Sequence, residues 1–352
     1  MVDSPKIYDA SRMPRKDLAF CKQYLDKVSR TFSLNINVLR GTPYRGILLA
    51  YLLCRIADTI EDDGYFPAQH KAQKLRDYSR LFPPSKDFPK KIETFLSDMS
   101  FTHQNDCIAL LLNTHRVFNE LVKLPANMIA VISHHVREMA QGMAEFQERG
   151  KKRSLAFLED QNDLERYCYF VAGTVGLMIT TVFSESSRKV TGIIQKRLEK
   201  RSVQFGLGLQ ITNIAKDFFG DRQRGWCYVP RSFFLEAGID PLIDTYSDKA
   251  DAYLRVHKRL VHIALAYLDE ALLYTLDIPR TLVRYRLFCL WPLFMAVETL
   301  ARVYGEGSLF EGEVVKIGRN DVRRIVRNTS LLVMSNSALE KMYRTVEKRI
   351  GR

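Results

Sequence analysis

The sequence lacks the features that define several other classes of protein. Its 352 residues contain only six cysteines, which lie far apart and form neither a Cys-x-x-Cys pair nor the spacing of a zinc finger. We therefore expect reduced thiols in the core rather than a disulfide framework or a structural metal module. No Gly-x-Gly-x-x-Gly motif is present, so any dinucleotide would have to bind without a Rossmann fingerprint.

Long apolar runs are also scarce. The longest stretch without a charged residue, 167–184, approaches the roughly 20 residues that a membrane-spanning helix requires. Its glycines and threonines weaken the hydrophobicity, so we predict a buried helix that lines a pocket and no transmembrane segment in this chain. The N-terminal residues do not resemble a secretory signal. These observations favour a cytoplasmic protein.

The charge balance indicates anionic partners. Lysine and arginine total 53 against 40 acidic residues, which gives a formal net charge of +13. Such a surface attracts nucleic acids, acidic membranes or diphosphates. From residue 316 onward there are ten basic and three acidic residues, so this region could contact a lipid surface peripherally or form a solvated face. No nucleic-acid-binding module is recognisable, and we expect no nucleic-acid partner.

Apolar residues at three- and four-residue spacing predict an all-α protein. No convincing alternating pattern competes with the helices. Turn-forming residues cluster at 82–85, 124–127, 220–230 and 304–307, but none of these breaks is long enough for an interdomain linker. We therefore predict one domain over residues 1–352 and favour a monomer. The predicted helices cover residues 46–62, 105–121, 127–148, 164–184, 190–219, 250–276 and 321–349.

A first acidic cluster ends the apolar helix 46–62. Asp58, Glu61 and Asp62 stand at positions i, i+3 and i+4, so their carboxylates share one helix face. Like charges in this arrangement repel one another and reduce stability unless cations compensate. Hard oxygen ligands of this kind suit Mg²⁺ that is shared with substrate phosphates.

A second acidic cluster follows about 155 residues later, again after a long apolar helix. Asp217 and Asp221 stand at i and i+4, and Asn213 offers an amide oxygen one turn earlier. Two such helix ends can face each other across a bundle and build a metal site from inward side chains. The alternative, helix surfaces with chance carboxylates, remains open at this point.

The combination of acidic residues and apolar helices suits one kind of chemistry. Metal ions held by carboxylates neutralise a diphosphate leaving group, and its departure from a prenyl chain leaves an allylic carbocation. A dry cavity keeps this cation from water, and aromatic faces can steer it.

Five segments together resemble the squalene and phytoene synthase family over nearly the whole chain. The resemblance implies an isoprenoid-synthase-type helical bundle around a central cavity, which condenses two prenyl diphosphates head to head. The segments are 29–33 (Ser-Arg-Thr-Phe-Ser), 51–63 with the first acidic cluster, 167–176 (Tyr-Cys-Tyr-Phe-Val-Ala-Gly-Thr-Val-Gly), 208–221 with the second, and 313–319.

The resemblance also implies roles for individual residues. Mg²⁺ and the two diphosphates would be held by six residues of the acidic clusters: Asp58, Glu61, Asp62, Asn213, Asp217 and Asp221. Arg30 and Arg55 would bind diphosphate. Tyr51 and Tyr167 would lie at the reacting end of the cavity, where Tyr167 would handle a proton. Gln210 would line the cavity, and Phe288 would stabilise a cation. Tyr51 and Phe288 could instead be ordinary core residues, and we interpret His134 and His135 as structural or exposed.

The segments also bear on the product. Asp-Thr-Ile-Glu-Asp-Asp at 58–63 resembles the squalene branch, in which two farnesyl diphosphates give a cyclopropyl intermediate that NADPH reduces. Residues 313–319 are similar to the stretch that this branch uses for the cofactor, so Lys316 and Arg319, with Lys216, would bind NADPH. Gly318 departs from the pattern, which has a basic residue there. Release of phytoene or dehydrosqualene without reduction, or a non-catalytic assembly role, remain the alternatives.

Overall fold

The computed structural model describes residues 14–63, 66–99, 101, 104–150 and 155–351, and almost all of its regular structure is helical. The helices are α1 (Pro14–Val28), α2 (Arg30–Asn37), α3 (Gly41–Glu61), α4 (Ala68–Ser79), α5 (Phe88–Leu96), α6 (Asp106–Leu112), α7 (Thr114–Leu121), α8 (Ala126–Arg149), α9 (Gln161–Cys168), α10 (Thr174–Ser186), α11 (Gly192–Lys216), α12 (Phe218–Gln223), α13 (Arg231–Glu236), α14 (Ala250–Asp277), α15 (Val283–Val303), α16 (Arg319–Leu332) and α17 (Asn336–Glu347). The prediction of an all-α fold is confirmed.

Helix α11 lies at the centre of the bundle and packs against α10, α14 and α15, while α8 packs against α3 and α4. The buried apolar residues form one contiguous cluster that extends from Phe20 to Ile350. Within it, the hydroxyl groups of Thr180 on α10 and Tyr274 on α14 share a hydrogen bond of 2.8 Å. The two acidic helix ends are therefore attached to one packed core.

Two glycines set how closely α11 approaches its neighbour. A Cβ atom on Gly176 would overlap the carbonyl oxygen of Ser202, and one on Gly206 would overlap the carbonyl oxygen of Ala172. Here the backbones themselves are in contact, so no side chain can be accommodated between them. The glycines thus fix the distance between α11 and the chain segment that carries Tyr167.

The helix that contains Tyr167 is interrupted. Residues Tyr169–Gly173 form a turn of π-helix between α9 and α10, where one residue more than in an α-helix is accommodated. By length and composition, the whole helical stretch Gln161–Ser186 is the one candidate membrane span found among the described residues, with a mean hydropathy of 1.5 and 44% of its apolar window buried. One such stretch is weak evidence for a span, and its packing against α11 fits the predicted buried helix.

Several helix boundaries differ from those predicted. Residues 105–121 form two helices separated at Asn113, the helix of 190–219 ends at Lys216, and residues 321–349 are divided between α16 and α17. Apolar spacing did not predict α15, which is buried on nearly all sides and contains Pro292, so it shows no one-sided pattern. It also missed α1, α2, α4, α5 and α13, and the short parallel pairing of Ala156–Phe157 (β1) with Trp226–Cys227 (β2).

The backbone contact at Gly206 can be tested by substitution. We expect Gly206→Ala to lower the free energy of unfolding by about 1–3 kcal/mol, because the added methyl group forces α11 away from Ala172. Gly220→Ala is the matched control: its Cβ would meet no atom closer than 3.8 Å. Urea unfolding of both variants measures the difference. Equal stability of the two would show that the contact is not a constraint.

Candidate active site

The first acidic cluster lies at the C-terminal end of α3. The Arg55 guanidinium approaches the Asp58 carboxylate to 3.7 Å, and the side chain of Asp58 keeps 32% of its surface exposed. Burial among protein atoms, reinforced by the negative charge of Asp62, raises the pKa of Asp58 to about 6, although Arg55 opposes this shift. Asp58 therefore takes up a proton at a higher pH than a free carboxyl group does, and a further cation at the cluster would oppose this.

Glu61 is the buried member of this cluster, with 7% of its surface exposed. Burial, together with the charges of Asp62 and Asp58, raises its pKa well above the usual range, and Lys71 opposes the shift. Its Oε1 atom is buried without a hydrogen-bond partner. The Lys71 ammonium donates instead to the Glu61 backbone carbonyl over 2.8 Å, where it satisfies the end of α3.

The second acidic cluster begins where α11 ends. The imidazole of His257 on α14, which is buried, lies 2.9 Å from the carbonyl oxygen of Ala215 and so holds the last turn of α11. Asp217 is the first residue after α11. The ammonium group of Lys216 lies 3.3 Å from the Asp217 carboxylate and 3.4 Å from Oδ1 of Asn213. Asp221 lies within α12 and is buried.

Arg224 joins the two clusters. Its guanidinium pairs with the Asp221 carboxylate and approaches Oδ1 of Asp62 to 4.0 Å. Burial and the charges of Asp217 and Asp62 raise the pKa of Asp221 to about 7, although Arg224 opposes this. The ends of α3 and α12 thus face each other closely enough for their charges to interact.

Tyr167 lies beside this meeting point. Its ring is buried, stacks on Tyr228 with centroids 4.5 Å apart, and contacts Phe146 edge-on at 5.3 Å. Burial, with the nearby charge of Glu61, raises the pKa of the Tyr167 phenol well above its usual range. Tyr228 is carried there by the pairing of β1 with β2, which ends one residue before it. Burial, with the nearby charge of Glu61, also raises the pKa of the Tyr228 phenol, so both phenols are protonated at neutral pH.

Tyr51 lies one turn before Arg55 on α3. The Arg55 guanidinium is 3.5 Å from the Tyr51 hydroxyl, and the ring of Phe32 on α2 lies 5.5 Å from that of Tyr51. Burial raises the pKa of Tyr51. The structure thus brings Tyr51 and Arg55 to the first cluster. Arg30 begins α2, but its side chain lies outside the described residues.

The remaining predicted residues are more dispersed. Gln210 is half-buried on α11, and Phe288 is buried on α15 with its ring edge-on to Phe183 at 5.8 Å. Lys316 and Arg319 are exposed. The segment that leads to them starts near the second cluster, because the ring of Phe310 lies 4.9 Å from that of Phe218.

His134 and His135 form a small cluster with Glu138, and their ligand atoms lie within 4.8 Å of one another. The other carboxylate oxygen of Glu138 accepts a 2.8 Å hydrogen bond from the hydroxyl of Tyr169 in the π-helical turn. This bond ties α8 to that turn.

Sequence reasoning missed three residues of the site. Arg224 stands three positions after Asp221, a spacing that places two side chains on one helix face and could have indicated the pair. For Lys71 and Tyr228 no spacing along one helix could have indicated the contact, because Lys71 lies on α4 and the pairing of β1 with β2 brings Tyr228 to Tyr167.

The donor set fits magnesium. All candidate ligands are carboxylate or amide oxygens, which Mg²⁺ prefers. The buried, unpartnered Oε1 atom of Glu61 is the kind of acceptor that a hard cation satisfies.

Comparison with known proteins defines the class. A family model described as squalene/phytoene synthase matches residues 25–321. The squalene synthase of Schizosaccharomyces pombe is 28% identical over 92% of this chain and 67% of its own length. That of Homo sapiens is 28% identical over 86% of this chain and 69% of its own. The solved structure of TcSQS with the ligand BPH1237 has a TM-score of 0.78 at 25% identity, over 95% of this chain and 91% of that one.

Fold and relatives together define an all-helical prenyltransferase. The match over residues 25–321 shows that the chain belongs to the squalene/phytoene synthase family.

The raised pKa of Asp221 predicts a pH-dependent stability. Between its unfolded value of about 4 and its folded value of about 7, the folded state holds a proton that the unfolded state has released. This carboxyl therefore makes the free energy of unfolding fall as pH rises across that window. Asp221→Asn removes the contribution, so its stability should fall less than that of the wild type.

Urea unfolding in EDTA at pH 5 and pH 8 measures this difference. Asp251→Asn, an exposed position in the first turn of α14, serves as the control and should follow the wild type. Identical pH dependence of Asp221→Asn and wild type would contradict the assignment.

Proposed function

We propose that the protein condenses two farnesyl diphosphates head to head through presqualene diphosphate and reduces this intermediate to squalene with NADPH. The observation that carries the proposal is the meeting of Asp62 and Asp221 at Arg224, which unites the two acidic clusters into one site. The curated relatives cited above are squalene synthases, which favours this product.

The carboxylates would hold Mg²⁺, with Asp58, Glu61 and Asp62 on one side and Asn213, Asp217 and Asp221 on the other. When bound, Mg²⁺ would neutralise the charge that develops on a departing diphosphate. Arg55 and Arg30 would bind diphosphate directly through their planar guanidinium groups. The 3.7 Å approach of Arg55 to Asp58 supports this, because it places the cation at the edge of the cluster.

Tyr167 and Tyr228 would act where the prenyl chains react. Both are aromatic, and the ring of Tyr167 is almost fully buried, so the pair can shield a carbocation from water and present aromatic faces to it. The high pKa of Tyr167 keeps its hydroxyl protonated, so it would donate a hydrogen bond or relay a proton without becoming a free anion. Tyr51 would lie beside the diphosphate that Arg55 binds. Gln210 and Phe288 would line the cavity.

NADPH would bind through Lys316 and Arg319, with Lys216 at the second cluster. Both cations are exposed, and they would pair with the 2′-phosphate without a Rossmann motif. The contact of Phe310 with Phe218 supports this role, because it brings the start of their segment beside α12.

We also propose that residues 1–352 form one domain, as the single contiguous core suggests. Peripheral contact with an acidic lipid surface is supported by Arg319, Arg323 and Arg327, which recur every four residues on the exposed face of α16. The exposed side chains of Leu331 and Met334 follow them.

The two acidic clusters can be tested one at a time. We expect Asp58→Asn and Asp217→Asn each to reduce product formation about 100-fold or more while the helical circular-dichroism signal is unchanged, because each loses a charged ligand. Asp251→Asn should retain full activity. Near-normal turnover of either variant, with an unchanged Mg²⁺ requirement, would show that the two-cluster site is wrong.

The reductive step is tested by incubating the enzyme with farnesyl diphosphate and Mg²⁺, with and without NADPH, followed by mass spectrometry. We expect squalene only when NADPH is present. Lys316→Ala should lower squalene formation and let presqualene diphosphate accumulate, whereas Arg327→Ala, an exposed cation further along α16, should not. Dehydrosqualene in both reactions would move the protein to the non-reductive branch, and no product at all would favour another substrate or a non-catalytic role.

A further inference from the structure

The segment 313–318 has no regular secondary structure, yet it carries Lys316 and leads directly into Arg319. Its first residue is held by a backbone hydrogen bond of 3.1 Å from the Glu313 amide to the Ser308 carbonyl. Beyond this point, side chains from α15 and α16 hold the segment. Two contacts matter, one to the carbonyl of Lys316 and one to the amide of Gly318.

Arg302, at the end of α15, makes the first contact. Its Nη1 donates to the carbonyl oxygen of Lys316 over 3.3 Å, and its Nη2 donates to Oδ2 of Asp321 over 2.5 Å. The same Asp321 oxygen accepts the Gly318 amide over 2.9 Å. One guanidinium and one carboxylate thus fix the backbone on both sides of Ile317.

The glycine at position 318 is part of this arrangement. Gly318 is the residue before α16, and a Cβ there would lie 3.3 Å from Oδ2 of Asp321, which is closer than ordinary contact. A larger residue would require the Asp321 carboxylate to shift by a few tenths of an ångström from the position in which it accepts the Gly318 amide.

Arg324 provides a natural comparison. Like Arg302, it pairs with Asp321, at 2.9 Å, and with the buried Glu298, at 3.4 Å. It lies on α16, and within the part of the chain that the structure describes its ion-pair partners are these two carboxylates, whereas Arg302 also donates to the segment itself. The two arginines thus share their acidic partners and differ in the bond to Lys316.

We propose that Arg302 and Asp321 are positioning residues that fix segment 313–318 so that Lys316 and Arg319 are presented as a pre-arranged pair of cations to the phosphate groups of NADPH. The proposal rests on the cofactor role given above to these two cations. Pre-arrangement raises affinity because the bound backbone conformation already exists before the cofactor arrives. Neither positioning residue contacts the reacting atoms.

The test compares Arg302→Gln with Arg324→Gln in the whole chain of residues 1–352, and adds Asp321→Asn. Hydrogen exchange of the amides in segment 313–319 is measured without ligand. The dissociation constant of NADPH is measured by its fluorescence, and the KM for NADPH and kcat by squalene formation. Urea unfolding of each variant corrects for any loss of global stability.

We expect Arg302→Gln to speed exchange in the segment and to weaken NADPH binding about fivefold to tenfold, because a charge-assisted contact to the segment is lost. Its KM for NADPH should rise with little change of kcat at saturating cofactor. Asp321→Asn should act in the same direction. Arg324→Gln should leave exchange in the segment and NADPH affinity at wild-type values.

Equal effects of Arg302→Gln and Arg324→Gln, or unchanged exchange in Arg302→Gln, would overturn the proposal, since the bond to Lys316 would then carry no positioning role. Failure of the cofactor assignment looks different: the wild type itself would not bind NADPH. In that case the exchange data still decide whether Arg302 holds the segment, and the assignment of the segment to NADPH falls.

Discussion

The structure holds the carboxylates of two acidic clusters close together, although their like charges repel one another. Asp58, Glu61 and Asp62 end one helix, Asp217 and Asp221 lie at the start of another, and the two groups interact across Arg224. Burial makes this arrangement unfavourable, because a carboxylate loses hydration there and gains repulsion from its neighbours. The raised pKa values of Asp58 and Asp221 express that cost directly. A site built in this way is most stable when cations supplement the protein's own, which is what the proposed binding of Mg²⁺ would provide.

Packing contacts and hydrogen bonds in the rest of the bundle offset the repulsion between these carboxylates. Backbone contact at Gly176 and Gly206 fixes α11 against α10 and the π-helical turn, and buried His257 holds the last turn of α11. Lys71 satisfies the end of α3. These contacts involve none of the acidic side chains, so packing in the surrounding core offsets the cost of the carboxylates. The same frame places the Tyr167 and Tyr228 rings at the edge of the charged site, so the boundary between the polar and apolar regions is sharp.

The sequence predicted the long helices well because their apolar residues recur on one face. Residues 250–276 were expected to be helical, and α14 covers Ala250–Asp277. The i, i+3, i+4 spacing likewise placed three carboxylates on one face of α3. Helix α15 was missed because burial on nearly all sides removes the periodic signal. Tyr228 and the π-helical turn depend on contacts between distant parts of the chain, and local patterns cannot carry that information. Arg224 lay between these cases, since its spacing from Asp221 was visible but its approach to Asp62 was not.

The positive charge of the chain and its acidic site complement each other. An excess of 13 cationic charges attracts anions to the whole surface, yet the carboxylate clusters repel them at short range. Under the proposed function, a diphosphate would approach readily but would be accepted only where the clusters are already neutralised, so its binding would depend on Mg²⁺. Arg55 and Arg224 lower this barrier at the edge of the site, since each stands beside a carboxylate with its guanidinium partly exposed. Neutralisation of the acidic clusters would thus be the condition for diphosphate binding, and the arginines beside them would determine the position at which the diphosphate binds.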